Sequence, residues 1–161
     1  MAQLSAHGMR ALVPTGWEGE IYQRPPGAPV TARFDAQSNA GERELRYPPI
    51  LHLATFPLDR TRGDYGGGAL AGMGPSDVFV SVIDFGDEST AMFSNPIPWP
   101  LRADDFDRNG VRVSIADQSG CQRFFRAAGR GYGLYVVVGS HTLRALTVPL
   151  VNEVLATIDF A

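Results

Sequence analysis

The clearest pattern of apolar residues lies in the last forty residues of the chain. Residues 134–138 are apolar at every position, which is typical of a strand that is covered on both faces. The segment 122–126 precedes this strand, and glycines lie between the two. We therefore predict a β-hairpin whose turn is formed by Gly129, Gly131 and Gly133.

A helical pattern follows the hairpin. Four apolar residues recur at spacings of three and four positions, so one side of a helix should be buried. Thr147 is the predicted N-cap, and Pro149 lies at the predicted helix entry, where proline is well tolerated. The buried stripe consists of Val151, Val154, Leu155 and Ile158.

The first part of the chain alternates between apolar and polar residues. Met9–Val13 and residues 17–22 are predicted to be the two arms of a hairpin around a turn at residues 14–16. Residues 1–8 lack a comparable pattern, and we expect them to be a flexible tail.

The middle of the chain contains further strand signals between glycine-rich and proline-rich stretches. Asp64 is expected to cap a short helix at residues 65–73, and residues 35–46 are polar enough to be a mobile loop. Proline at every second position excludes regular structure from residues 95–100. Further strands are predicted at residues 30–34, 50–56, 77–85 and 111–115.

These elements predict a single domain, residues 1–161, of the α+β class. Strands predominate and several are joined by short turns, so we expect a twisted, mainly antiparallel sheet of six to eight strands. The C-terminal helix should pack on one face of this sheet, with short helices elsewhere.

Composition excludes several partners. The chain is 44% hydrophobic and 19% charged, with a net charge of −3, which is typical of an ordinary globular protein. It has no cluster of positive charge to attract a nucleic acid or an anionic membrane, and no apolar run approaches the length of a membrane span. We therefore expect neither a nucleic-acid partner nor a membrane partner.

All 14 basic residues are arginine, a bias that is typical of a bacterial protein from a GC-rich genome. The absence of lysine excludes P-loop phosphate binding and the Schiff-base attachment of pyridoxal phosphate. Cys121 is the only cysteine, and no signal peptide is visible. These features predict a cytoplasmic protein.

No combination of residues predicts a catalyst, a metal site or a cofactor. The three histidines, His7, His52 and His141, lie in a tail, a strand and a loop without metal-ligand spacing. His52 is surrounded by apolar neighbours and is interpreted as a sheet histidine whose hydrogen bonds are satisfied, rather than as a ligand of a metal ion. Cys121 and His141 could pair as a nucleophile and its base, but an inert buried or edge thiol is the favoured interpretation.

The stretch at residues 97–107 is the most unusual part of the sequence. It combines aromatic residues and arginine in a loop stiffened by proline, and such a loop loses little entropy on binding a partner. The alternative is that its aromatic and aliphatic residues only cover one edge or end of the sheet. The predicted partner-binding residues are Trp99, Leu101, Arg102 and Phe106.

A weaker pattern predicts a small-molecule site. Trp17, Tyr65 and His141 are the candidate ligand-binding residues, close to the glycine-rich loop at 66–68. This loop lacks the third glycine of a dinucleotide fingerprint and does not follow a strand directly, so a dinucleotide site is not favoured.

The turn at residues 14–17, Pro-Thr-Gly-Trp, resembles the P-x-G-W turn of the PsbP-like fold. The C-terminal order of a strand, a glycine, a second strand and a closing helix is also similar to that fold. Proteins of this superfamily include extrinsic photosystem subunits, a Ran-binding import factor and bacterial lipoproteins. The resemblance implies a binding or accessory protein rather than an enzyme.

Two functions follow from these observations. The preferred one is a non-enzymatic protein-binding or accessory module whose partner is another protein. The alternative is a small-molecule-binding protein or an unrecognised enzyme with a pocket near Tyr65, His141 and Gly66–Gly68. The sequence is compatible with either a monomer or a homodimer.

Overall fold

The structure is a computed structural model that describes residues 1–24, 47–87 and 91–161. Within these ranges the chain forms eight strands in two antiparallel sheets, together with a single α-helix near the C-terminus. The α+β class is therefore confirmed. The strand predicted at residues 30–34 and the loop predicted at 35–46 lie outside the described residues.

The larger sheet has five strands in the order β3-β4-β5-β7-β6. Its centre is formed by β5 and β7, whose side chains are buried on both faces, as expected for strands that are apolar at nearly every position. The predicted inner strands are thus confirmed. The strands are β3 (Glu18–Tyr22), β4 (Ile50–Ala54), β5 (Val78–Gly86), β6 (Ser119–Ala127) and β7 (Arg130–Val138).

The hairpin of β6 and β7 turns more tightly than predicted. Ala128 and Gly129 both have positive φ angles, 48° and 74°, which is the conformation of a two-residue hairpin turn. Gly131 and Gly133 are not part of the turn but lie within β7. The sequence pattern places both glycines in the turn because glycine is common in turns. In the structure, their lack of a side chain instead makes room for aromatic rings.

The smaller sheet has three strands, β1 (Ala2–Ala6), β2 (Met9–Val13) and β8 (Asp159–Phe160). Residues 2–6 therefore form a strand, where the sequence led us to expect a flexible tail. The hairpin partner predicted for β2 is wrong, since β2 pairs with β1 and β8, while β3 belongs to the larger sheet.

The helix α1 spans Arg144–Leu155 and begins earlier than predicted. Leu143 occupies the N-cap position, and Thr147 lies inside the helix with its hydroxyl 3.4 Å from the carbonyl oxygens of both Leu143 and Arg144. Pro149 is also inside the helix. Because proline has no N–H, the carbonyl of Ala145 loses its helical hydrogen bond. This is tolerated because Ala145 and Pro149 are both exposed to water.

Two apolar layers enclose the larger sheet. On its first face, the small sheet and α1 cover residues such as Leu53, Val80 and Val136. The predicted stripe of α1 belongs to this layer and is almost completely buried, although Ile158 lies just beyond the end of the helix. On the second face, a strap formed by residues 55–73 covers Phe79 and Val137.

Two local predictions in the covering segments are wrong. Residues 111–115 do not form a strand but cross the sheet edge as an irregular segment, with Val111 and Ile115 packed on the second face. The strap contains only a short 3-10 helix, Gly67–Gly72, whose N-cap is Gly66 rather than Asp64. Asp64 instead forms an ion pair with Arg24, and its main-chain carbonyl binds the sheet.

Candidate functional site

The proline-rich loop predicted to bind a partner is largely built into the protein. Leu101 and Phe106 have only 4% and 3% of their surface exposed and belong to the main core. The side-chain amide of Asn152 on α1 holds the backbone of Leu101 through two hydrogen bonds, of 2.7 and 2.8 Å. Neither apolar side chain is therefore available to a partner in this conformation.

Trp99 and Arg102 lie nearer the surface than these two residues. Trp99 is half-buried, and its ring centroid lies 5.4 Å from that of Phe125 and 6.1 Å from that of Phe160. Arg102 is exposed. The loop thus covers one end of the sheet, which is the alternative that the sequence left open.

The three candidate ligand-binding residues do not converge on one pocket. Trp17 packs against the core on the first face of the larger sheet, whereas Tyr65 packs against Tyr135 on the second face. His141 lies between β7 and α1. The glycine-rich loop near Tyr65 is closely packed, since a Cβ atom at Gly66 would lie within 3.1 Å of the side chains of Leu70 and Phe79.

An open cleft of about 490 Å³ lies elsewhere, beside β6. One wall is the segment 105–112, which crosses the edge of β6 so closely that Gly110 rests on the backbone of Gly120. The other wall is β6 itself. Polar side chains dominate the lining: Asp105, Asp107, Asn109, Arg112, Gln122 and Arg123.

The cleft matters because β6 is an edge strand of the larger sheet. Along an antiparallel edge, every second residue directs its N–H and C=O away from the sheet. Asp107 exchanges two main-chain hydrogen bonds with Gly120, and the carbonyl of Asn95 accepts one from the N–H of Arg126. These two contacts, which we call the clamps, show that the even-numbered residues of β6 face outward.

Between the clamps lies a short open segment, residues 122–124, which we call the β6 window. Among the described residues, nothing bonds the outward N–H of Gln122 or the N–H and C=O of Phe124. The carbonyl of Gln122 accepts a hydrogen bond of 2.8 Å from the side chain of Arg123. Three main-chain groups of the window are therefore available to a ligand.

The charges in the cleft balance one another. The Arg123 guanidinium lies 3.1 Å from a carboxylate oxygen of Asp105, and both side chains are partly exposed. Arg112 lies over the ring of Tyr65, with 3.6 Å between the guanidinium carbon and the ring centroid, a favourable cation–π geometry. Such a cleft can hydrogen-bond a polar ligand without selecting strongly for one sign of charge.

Cys121 borders the cleft but is not a nucleophile. Its side chain is 2% exposed and packs in the main core, and burial raises the pKa of the thiol to about 11. The thiol is therefore protonated at neutral pH. This agrees with the prediction of an inert thiol over a pair with His141.

A second group of polar residues is buried under the strap. The Nδ1 of His52 accepts a hydrogen bond of 2.7 Å from the Nε of Arg62, and its Nε2 lies 2.8 Å from the carbonyl oxygen of Asp64. Arg62 also bonds Glu20 at 2.6 Å, and Ser81 donates to the same Asp64 carbonyl. The prediction of a sheet histidine whose hydrogen bonds are satisfied is confirmed, but both partners of the ring come from the strap. The network attaches the strap to β3, β4 and β5.

In the part of the chain that the structure describes, no three acidic, histidine or cysteine side chains are arranged to hold a metal ion. The same residues include no helix long and apolar enough to cross a membrane. Comparisons with protein families, with curated proteins and with solved structures find no match to this chain. The site must therefore be interpreted from its own geometry.

The sequence pattern did not show that β6 has an open edge. The alternation at residues 111–115 predicted a further strand, but this segment is irregular and contributes to a wall of the cleft instead. The available signal was the mixed polarity of Gln122, Arg123 and Phe124, which differs from the largely apolar β5 and β7.

Proposed function

We propose that the protein is a non-enzymatic binding module that adds an extended segment of a partner protein to β6 at the window. The supporting observation is the set of main-chain groups on Gln122 and Phe124 that, among the residues the structure describes, have no hydrogen-bond partner between the two clamps. Addition of a strand to an exposed sheet edge is a recurrent mode of peptide recognition, because the peptide backbone supplies matching donors and acceptors. In this proposal the docking element is β6, and not the loop of Trp99 and Arg102 that the sequence predicted.

The clamps limit what can bind. An extended chain rises about 3.3 Å per residue, so the clamps at Gly120 and Arg126 lie about 20 Å apart along β6. The partner segment must therefore be short, and it must leave the plane of the sheet on both sides of the window. A chain terminus or the tip of a loop fits this requirement better than a long strand.

A second copy of the same edge does not fit. Two-fold pairing centred on the window would place Arg123 directly opposite Arg123 of the other copy, and like charges in that position destabilise a sheet. The clamp at Gly120 would also meet the clamp at Arg126 of the other copy. We therefore propose a partner of different sequence, and a protein that does not dimerise through β6.

The resemblance to PsbP-like proteins supports a binding role, because members of that superfamily are mostly accessory proteins. The turn that carries the resemblance is formed, with the N–H of Trp17 donating to the carbonyl of Pro14 at 3.0 Å. We propose a cytoplasmic location, in keeping with a buried free thiol at Cys121.

The test uses two substitutions at one position. Gln122→Pro removes the outward N–H of the window without removing a hydrogen bond to β7, and proline is tolerated on edge strands. Gln122→Ala removes the same side chain but keeps the N–H. Peptides of eight random residues would be selected on the wild-type protein, and their affinities for both variants measured by calorimetry, with thermal unfolding as the check of folding.

We expect Gln122→Ala to keep affinity within about threefold of wild type, and Gln122→Pro to lose about five- to twelvefold, since one main-chain hydrogen bond contributes roughly 1–1.5 kcal/mol. Selection of no peptide, or equal affinities of folded Gln122→Pro and Gln122→Ala, would overturn the proposal.

A small polar molecule in the cleft is the second candidate function. The volume of about 490 Å³ and the polar lining support it, since small-molecule sites commonly occupy 300–1,000 Å³. This site differs from the predicted one, because Tyr65 and His141 do not line the cleft. A metabolite panel screened by thermal shift should then yield a ligand whose binding is lost in Asp107→Ala and kept in Phe124→Leu, because Phe124 does not line the cleft.

A further inference from the structure

The two ends of the β6 window differ in polarity. The end near Gly120 opens into the polar cleft, whereas the end near Arg126 is bordered by aromatic rings. Phe124 is partly exposed, and its ring centroid lies 5.9 Å from that of Phe93 and 6.3 Å from that of Phe85. A ligand along the window therefore meets polar groups at one end and an aromatic surface at the other.

Glycines in the neighbouring strand hold this aromatic group in place. A Cβ atom at Gly131 would lie 2.6 Å from the ring of Phe93, and one at Gly133 would lie 2.8 Å from the ring of Phe85 and 3.3 Å from that of Phe124. The rings therefore rest directly on the backbone of β7. This support keeps the Phe124 ring in a defined position beside the window.

Further apolar surface flanks the same end. The segment that carries the Asn95 clamp includes Met92 and Ile97, which are 46% and 40% exposed. Two large apolar side chains exposed close together indicate an interaction surface more strongly than single exposed apolar residues scattered over the protein.

We infer that the partner segment carries a large apolar residue, aromatic or branched, at the position opposite Phe124. This inference rests on the proposed function and specifies the class of segment. Residues directly opposite each other in neighbouring strands place their side chains on the same face, about 4.5–5.5 Å apart at Cβ. In an antiparallel arrangement, one peptide residue would exchange both hydrogen bonds with the N–H and C=O of Phe124, and its side chain would thus lie against the Phe124 ring.

The experiment is a double-mutant cycle with the peptides selected on the wild-type protein. On the protein, Phe124→Leu keeps an apolar side chain and Phe124→Ser removes it. On the peptide, the recurrent apolar residue is replaced by serine. Affinities are measured by calorimetry, and thermal unfolding identifies variants that do not fold.

We expect the peptide substitution to weaken binding to wild type by about tenfold, and to weaken binding to Phe124→Ser by less than threefold. In Phe124→Leu, the same peptide substitution should still weaken binding by most of the factor seen with the wild type, because leucine keeps an apolar side chain at this position. If Phe124→Ser does not fold, the comparison of Phe124→Leu with wild type still tests the contact, because an aromatic peptide residue should then lose about threefold.

The outcomes distinguish this inference from the proposed function on which it rests. Peptides that depend on the N–H of Gln122 but share no apolar position would leave the binding function intact and overturn the inference. Equal effects of the peptide substitution on wild type and on Phe124→Ser would also overturn it. Peptides insensitive to Gln122→Pro would remove the proposed function instead.

Discussion

His52 illustrates how one buried residue attaches a covering segment to the sheet. It is fully buried, and its two ring nitrogens contact Arg62 and the backbone of Asp64. Because the Arg62 guanidinium can only donate, Nδ1 must be the acceptor, and Nε2 carries the proton that bonds the Asp64 carbonyl. The imidazole is therefore neutral, and protonation would place a cation beside Arg62.

This arrangement predicts a pH-dependent stability. Burial lowers the pKa of His52 to about 3, with Arg62 and Arg24 as further charges that lower it. Between the ordinary pKa of about 6.5 and 3, the unfolded chain binds a proton that the folded protein does not, so stability falls as pH falls. For this residue the loss between pH 7 and pH 4.5 is about 2–3 kcal/mol.

Urea unfolding of the wild type and of His52→Asn at both pH values provides the measurement. The asparagine amide can accept and donate as the imidazole does but does not titrate in this range. The carboxylates are the same in both proteins, so their effect cancels in the difference. A difference in unfolding free energy that is the same at pH 7 and at pH 4.5 would contradict the neutral buried imidazole.

At the scale of elements, the β6–β7 hairpin is the central unit of the fold and carries the candidate site on its outer edge. The inner strand β7 is buried throughout, and Gly131 and Gly133 within it receive aromatic rings from neighbouring segments. The binding edge is therefore supported by rigid packing from behind. This is favourable for binding, because a preorganised edge loses little entropy when a peptide is added.

A pair of glycine substitutions tests this support. Gly131→Ala places a methyl group 2.6 Å from the buried ring of Phe93, and overpacking of this kind costs about 1–3 kcal/mol. Gly68→Ala is the matched control, since a Cβ there meets nothing within 4 Å and should change stability by less than about 0.5 kcal/mol. Urea unfolding measures both, and a Gly131→Ala variant as stable as wild type would show that the ring moves away freely.

At the scale of the whole molecule, the N-terminal strand is part of the packed structure. β1 pairs with β2 along five residues, and Leu4 packs against the main core. Leu4, Val13 and Leu53 converge on Gly19, where a Cβ atom would lie within 3.0 Å of all three side chains. The small sheet and the large sheet therefore meet at this glycine.

Deletion of residues 2–6 should lower the free energy of unfolding by about 1–3 kcal/mol, because the core loses the burial of Leu4 and β2 loses a neighbour. Leu4→Ala should account for much of this loss, whereas Gln3→Ala, at an exposed position, should have little effect. Thermal unfolding with circular dichroism measures the three variants. If the deletion variant is as stable as the full chain, the result would instead support the flexible tail that the sequence predicted.

Local patterns in the chain were enough to predict the α+β class, the inner strands, the hairpin of β6 and β7 and the buried stripe of α1. Each of these elements buries one face or both faces, and that burial requires apolar residues at a regular spacing that can be recognised in the sequence. Cys121 was predicted to be unreactive because it begins a strand after a turn, away from any helix N-terminus, and His52 was predicted to be a satisfied sheet histidine because its neighbours are apolar.

Local patterns could not predict which elements pack against each other. The pairing of β2 with β1 and β8, the burial of Leu101 and Phe106, and the irregular path of residues 111–115 depend on contacts between distant parts of the chain. A regular spacing of apolar residues shows that one face of an element is buried, but not which other element covers that face. An edge strand is defined by the absence of a neighbouring strand, which no local pattern shows. The β6 window became visible only when the position of every strand was known.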